Sequence, residues 1–237
     1  MKKLTILLLA AMRDEARPTI KKFGLERKKN FENMPFEIYE GDAYGNQVML
    51  MTSGIDPEFG VDNVGTQAAA VMTAVGIKEF KPDLIVNFGT AGGFKACGAE
   101  IGSVYVCDRF RFHDRRIPFP GFKEYGVGDY SSNFEKELTG EFSLGTVTSG
   151  NSFVSTESEL TEMIELACVR PLVKDMEAAA IAQVCSWSKQ PLIAFKTVTD
   201  LIDGGGTPHE EFAENLHSAS ERLWQGLNLL LQILGSV

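Results

Sequence analysis

Three features of the sequence predict a single α/β domain built as three layers around a mixed, mostly parallel central sheet. Apolar runs at residues 4–11, 84–88 and 192–198 read as buried strands, the first continuously apolar as in a central parallel strand. Segments of helical spacing alternate with them, the order that places helices on both sides of a sheet. Polar and acidic residues collect where the apolar runs end, and open α/β sheets bind ligands beyond the carboxyl ends of their strands. No repeat, low-complexity tract or change of composition marks a boundary, so residues 1–237 are read as one domain, long enough to bury a substantial core.

Residues 4–11 pass into Met12-Arg13-Asp14-Glu15-Ala16, the pattern of a central strand feeding a helix, which sets Glu15 near a strand's carboxyl end. Residues 36–39 and 47–52 read as a hairpin across the turn-rich segment 41–46, closed by Ser53-Gly54-Ile55. Residues 63–75 have helical spacing, with Val64, Ala68, Val71 and Met72 on one side and Gly76 as the stop. The strand at 84–88 breaks into Gly89-Thr90-Ala91-Gly92-Gly93, either a simple tight turn or one whose backbone N–H groups approach a ligand. It has neither the Gly-Lys-Ser/Thr of a P-loop nor G-x-G-x-x-G spacing. A β-like run at 101–112 leads to a loop at 113–122 that is basic, proline-rich and aromatic, suited to covering a pocket or meeting a partner subunit. His113 beside Asp114 fits a structural role better than that of a base. Residues 142–148 form a further strand, entering Ser149-Gly150-Asn151-Ser152-Phe153-Val154, and 157–166 a helix.

The stretch Lys174-Asp175-Met176-Glu177-Ala178-Ala179-Ala180 lies between a short strand ending at 171–173 and an alanine-rich helix over 177–185. A carboxylate buried at such a junction is costly unless hydrogen-bonded. Glu177 therefore calls for a partner, either a ligand hydroxyl or the dipole of a helix N-terminus. The last strand, 192–198, ends in Thr199-Asp200, which puts another acid at a carboxyl end. After Gly204-Gly205-Gly206, Thr207-Pro208-His209-Glu210 has a capping-box pattern with Pro in the first helical position. The closing helix covers the sheet with Phe212, Leu216, Leu223, Trp224, Leu227, Leu230, Leu231 and Leu234, bends in its middle, and leaves His209 and His217 for solvent or helix packing.

With 32 acidic and 23 basic side chains the formal charge is −9, which argues against a nucleic-acid backbone or an anionic membrane as partner. A small neutral or cationic ligand fits better. Cys97, Cys107, Cys168 and Cys185 show no C-x-x-C pair and no zinc-type spacing, so they read as reduced thiols of a cytoplasmic protein. Two lysines before the first apolar run imitate a signal peptide, yet charged residues 13–17 follow at once without a cleavage site, and a first buried strand explains the run better. No apolar stretch approaches the ~20 residues that span a bilayer.

Taken together, A-M-x-x-E near the start, N-x-G-T-A-G-G, S-G-N-S-F-V, D-M-E-A-A-A and V-T-D before the final helix resemble the purine nucleosidase and phosphorylase superfamily. Within it the sequence is most similar to the 5′-methylthioadenosine/S-adenosylhomocysteine nucleosidases, of plant type in K-D-M-E, V-T-D-L-I-D-G and F-H-D-R-R-I-P. The resemblance covers nearly the whole chain, and D-M-E-A-A-A with V-T-D at this spacing is its specific part.

It implies a nucleoside phosphorylase-like fold and hydrolysis of an adenine–ribose bond, with no metal or organic cofactor, and a homodimer, as is usual in the family. Carried across by motif, Glu15 would deprotonate the attacking water and Asp200 would give a proton to the departing adenine. Glu177 would hold ribose hydroxyls, with Met176 against the sugar and Met12 at the same site. Phe153 and the backbone of Val154 would sandwich and read the purine, Thr199 would support Asp200, and Thr90, Ala91 and Gly92 would line the ribose side. Ile55, and Phe112 from a partner subunit, are nominated for the pocket of the 5′-substituent. An oxocarbenium-like transition state suits an acid on the leaving group and a base on the opposite face, provided the two environments push their pKa values apart. The phosphorylases commonly carry arginine where this chain has Asn87, and a phosphate-binding arginine loop after the first strand. Glu15 there repels phosphate, while nearby Arg13 leaves phosphorolysis open. A non-catalytic binding or storage relative is the third reading, against which stand the three acids. Asn151, where many relatives have aspartate, and residues 56–62 depart from the shorter bacterial pattern.

Overall fold

The structure, a computed structural model, describes residues 3–132, 140–167 and 170–236. In chain order the elements are β1 (Thr5–Ala10), α1 (Arg13–Phe23), β2 (Glu26–Arg27), β3 (Glu37–Ala43), β4 (Asn46–Thr52), α2 (Thr66–Phe80), β5 (Leu84–Gly93) and β6 (Val104–Phe112). They continue with α3 (Phe122–Val127), β7 (Tyr130–Ser131), β8 (Ser143–Ser149), α4 (Glu157–Ala167), β9 (Leu172–Asp175), α5 (Ala178–Ser188), β10 (Leu192–Leu201) and α6 (Pro208–Ser236).

The strands form one mixed sheet in the order β10-β6-β8-β9-β5-β1-β4-β3-β2, and β10 also pairs with β5. That extra pairing closes β5, β9, β8, β6 and β10 into a ring, from which β1 and β4 extend in parallel. Parallel pairing also joins β5 to β10, β6 to β8 and β8 to β9, whereas β5–β9 and β6–β10 are antiparallel. β1 is apolar without interruption because both of its faces are covered. Leu7 and Leu9 pack with Met72 of α2 and the alanines of α5, while Ile6 and Leu8 pack with Ala16 of α1 and Leu223, Leu227 and Leu230 of α6. Helices therefore cover both faces of the sheet, as the alternation predicts. Among the described residues no helix is long and apolar enough to cross a membrane.

Several local expectations are corrected. The hairpin turn is shorter than 41–46: only Tyr44 and Gly45 separate β3 from β4, both at positive φ, +50° and +82°, the conformation that matches strand twist in a two-residue turn. Gly76 does not stop α2 but lies inside it. A Cβ there would come within 2.6 Å of Leu7 Cδ2 and 3.2 Å of Met51 Sδ, so glycine permits close helix–sheet contact at a cost of about 1 kcal/mol in helix propensity. α2 buries Ala69, Met72, Thr73 and Gly76, whereas Val64 and Val71 are exposed. α6 runs unbroken for 29 residues, since Leu223, Leu227, Leu230 and Leu231 keep one stripe on the sheet. Cys97 is disulfide-bonded rather than reduced, while Cys107 and Cys185 are free and buried. The expectation for Cys168 lies outside the described residues.

Gly76→Val should cost about 1–3 kcal/mol through overpacking against Leu7 and Met51. Thermal unfolding checks this, and a melting temperature equal to or above that of the parent protein contradicts the close helix–sheet contact.

Candidate active site

A cavity of about 440 Å³ opens beyond the ends of β1, β5, β9 and β10. Met12 and Glu15 enter it from the β1–α1 junction, Thr90, Ala91 and Gly92 from β5, and Phe153 and Val154 from the segment after β8. Met176 and Glu177 come from the β9–α5 junction, and Thr199 and Asp200 from β10. Ile55 and Phe112 do not line it. Ile55 makes an isolated bridge to Asp62. Phe112 is 1 % exposed in its own chain's core, with the Arg115 guanidinium 3.5 Å above its ring, so its side chain is not presented to a partner.

The Gly89 to Gly93 segment is not a turn but the end of β5, and its glycines make room for side chains. A Cβ at Gly89 would lie 3.0 Å from Glu15 Oε1, and one at Gly92 would lie 2.9 Å from Asp200 Oδ2. The Thr90 N–H, expected to be available to a ligand, donates instead to Glu15 Oε1 at 2.6 Å. Thr90 Oγ1 donates to the same oxygen at 2.8 Å, and Met12 N–H to Oε2 at 3.1 Å. Burial raises the pKa of Glu15 above its ordinary 4.5, while those donors and the Lys196 charge work against the rise.

Asp200 owes its orientation to an irregularity in β10. The register with β5 jumps between Val198 and Asp200, so Thr199 is an extra residue and both Thr199 and Asp200 line the cavity. Thr199 Oγ1 donates to Asp200 Oδ1 at 2.8 Å. Burial, with Glu211 adding to it, lifts the Asp200 pKa above 3.8, opposed by the Thr199 hydrogen bond and the charge of Lys174. The pKa values of Glu15 and Asp200 are thus displaced in the same direction, not apart. Their difference lies in the donors: three support the Glu15 anion and one supports Asp200.

Glu177 is the residue at the N-terminal boundary of α5, and its Oε1 accepts the Gly65 N–H at 2.8 Å, at the start of α2. Its neighbour Thr66 N–H donates to Asn151 Oδ1 at 2.9 Å, so Asn151 caps α2 from a distant segment. Below these lies a buried ion pair that sequence reasoning missed, Lys196 Nζ to Asp175 Oδ2 at 2.8 Å. Asp175 also accepts from Ser149 Oγ at 2.5 Å and from Ala178 N–H at 3.0 Å. Burial alone would lower the Lys196 pKa, but Asp175, Glu177 and Glu15 together hold it above 10.5. Burial and the Asp175 charge push Glu177 up to about 7, against Lys196 and the Gly65 hydrogen bond.

His113 lies outside the cavity and is half-buried. Its Nδ1 is 3.1 Å from Thr148 Oγ1, and burial followed by the Lys174 charge lowers its pKa to about 4, which keeps it neutral. The rest of the 113–122 loop does not cover the cavity. A wall that no motif signalled comes instead from the chain's last helix: Pro208, His209 and Phe212, with Ile202 before it, line the cavity, and Phe212 meets Phe153 edge-on at 6.1 Å. The signal for Lys196 was present, a lone cation inside the apolar run 192–198. Among the described residues no group of His, Cys, Asp or Glu is arranged to hold a metal ion.

A carboxyl whose pKa rises on folding, as from 4.5 to about 7 at Glu177, contributes stability that is full below pH 4.5 and lost as pH rises through 7. Glu177→Gln should therefore flatten the fall in unfolding free energy between pH 4.5 and 7. Denaturant titrations across that window test it, and an unchanged slope contradicts the raised pKa of Glu177.

Comparison with known proteins places this site in a family. The model of the phosphorylase superfamily matches residues 5–231. A 5′-methylthioadenosine nucleosidase of Arabidopsis thaliana is 39% identical over 220 residues, covering 90% of this chain and 80% of its own. A 5′-methylthioadenosine/S-adenosylhomocysteine nucleosidase of the same plant is 37% identical, covering 97% and 91%. The apo structure of the Arabidopsis thaliana 5′-methylthioadenosine nucleosidase superposes with a TM-score of 0.90 at 35% identity, over 98% of this chain and 97% of that one. The chain belongs to the phosphorylase superfamily and, within it, to the 5′-methylthioadenosine/S-adenosylhomocysteine nucleosidases.

Proposed function

We propose that the chain hydrolyses the N-ribosidic bond of 5′-methylthioadenosine, and of S-adenosylhomocysteine, releasing adenine and a 5-thio-substituted ribose. The observation that carries this reading is the charge at the nucleophile position. Glu15 is held there as an acceptor by Thr90 and Met12. The residues at the positions where phosphorylases carry their arginines are engaged elsewhere. Arg13 Nε is 3.3 Å from Asp62 Oδ1 and does not line the cavity, and Asn87 is buried with its Nδ2 donating to Leu9 O at 3.1 Å. An anionic site of this kind suits water and repels phosphate.

In this reading Glu15 takes a proton from water as the water oxygen bonds to the anomeric carbon. The bond from that carbon to the purine nitrogen breaks, its electron pair leaves with adenine, and Asp200 supplies the proton that neutralises the base. Glu177 accepts hydrogen bonds from the ribose hydroxyls, which strengthen as positive charge grows on the ring. Phe153 and Phe212 form the aromatic wall for the purine, with the Val154 backbone reading its edge and Met176 against the sugar. We further infer that the protein works as a homodimer through the face where α3 meets α5. Phe119, Phe122, Tyr125 and Trp187 are all more than half exposed there, and Gln183 of α5 accepts from Arg115 beside Tyr125.

Adenine release measured with and without phosphate tests the proposal. Turnover should be independent of phosphate, and Asp200→Asn or Glu15→Gln should each lower it about 10²–10⁴-fold while the protein stays folded. Turnover that requires phosphate and yields ribose 1-phosphate products would assign the chain to phosphorolysis.

A further inference from the structure

Lys174 is 6% exposed and lines the cavity, yet it has no part in the chemistry described above. Its Nζ donates to two main-chain carbonyls, Ser152 O at 2.7 Å and Phe153 O at 2.6 Å. The loop it holds is the exposed one that carries Phe153 and Val154, 45% and 76% accessible. Hydrogen bonds from a charged donor are about twice as strong as neutral ones. One buried ammonium thus ties this loop to the sheet.

The register explains why the same ammonium faces Asp200. Gly92 pairs with Lys174 on one side and with Asp200 on the other. Residues in register across a sheet share a face, and Gly92 has no side chain to separate its two neighbours. The charges of Lys174 and Asp200 consequently interact across it. The other charges acting on the pair are Glu211 from α6, Glu159 from α4, Asp175 from the same strand, and His113 after β6.

We propose that Lys174 is a positioning residue for this reaction, binding the purine-stacking loop to the sheet beside Asp200 so that the acid and the aromatic wall are held in one arrangement. The proposal rests on the hydrolytic reading above. Its sign follows from charge. A cation beside Asp200 favours the carboxylate, so its removal leaves Asp200 protonated to higher pH.

The test compares the parent protein with Lys174→Met and Lys174→Arg, following phosphate-free adenine release from 5′-methylthioadenosine as a function of pH. Lys174→Met should raise KM roughly tenfold and move the alkaline limb of kcat/KM to higher pH, and Lys174→Arg should restore the limb. If Lys174→Met does not fold, Lys174→Gln, which drops the charge and keeps a donor, should move the limb in the same direction. An active parent whose charge-removing variants leave both KM and the limb in place overturns the positioning role alone. A parent that releases no adenine overturns the hydrolytic reading as well.

Discussion

The site depends on keeping three acids close together, Glu15 and Asp175 out of water and Glu177 half-buried beside them. Burying one charge is expensive, and burying several of the same sign is more so. Lys196 offsets this from the middle of an apolar strand, ion-paired with Asp175 and acting on Glu177 and Glu15 through space. The remaining oxygens are met by Ser149, by the N–H groups that open α2 and α5, and by Thr90. Each of these partners sits at the end of a strand or the start of a helix, where backbone donors are free. The ring formed by β5, β9, β8, β6 and β10 brings those ends together.

Around this ion pair the fold makes space with absences. Gly89 leaves room for the Glu15 carboxylate and Gly92 for that of Asp200, while the extra residue Thr199 turns Asp200 toward the cavity. Arg13, the first residue of α1, is drawn aside by Asp62, so the segment 56–62 that departs from the bacterial pattern contributes to the anionic character of the site. The electrostatic preference for water over phosphate is thus distributed between a strand end and a loop 49 residues further along the chain, the long-range placement that a three-layer fold permits.

The fold class was legible because strands covered on both faces, β1, β5 and β10, must be largely apolar and leave long runs. The acids were legible because several of them fall at the ends of such runs, where an open α/β sheet binds its ligands. Hydrogen-bond direction was not: the N-x-G-T-A-G-G segment looks like a turn that offers its backbone to a ligand, but as the end of β5 it spends the Thr90 N–H on Glu15. Gly76 read as a helix stop because spacing carries no information about a facing Leu7 side chain. Phe212 and His209 were invisible as site residues, since only the return of α6 across the sheet brings them to the cavity. Phe112 misled because an aromatic beside a basic loop looks like an interface residue, whereas Arg115 closes over it within its own chain.

The central claim, that the buried Lys196 ammonium makes the cluster of Glu15, Asp175 and Glu177 tolerable, is tested most directly by a double-mutant cycle on Lys196 and Asp175. Lys196→Met alone should lose about 3–5 kcal/mol of unfolding free energy near neutral pH, because it leaves buried carboxylates without a counter-charge. Lys196→Met combined with Asp175→Asn should recover much of that loss, a coupling that pairs in contact show and distant sites do not. Losses that simply add would contradict the account.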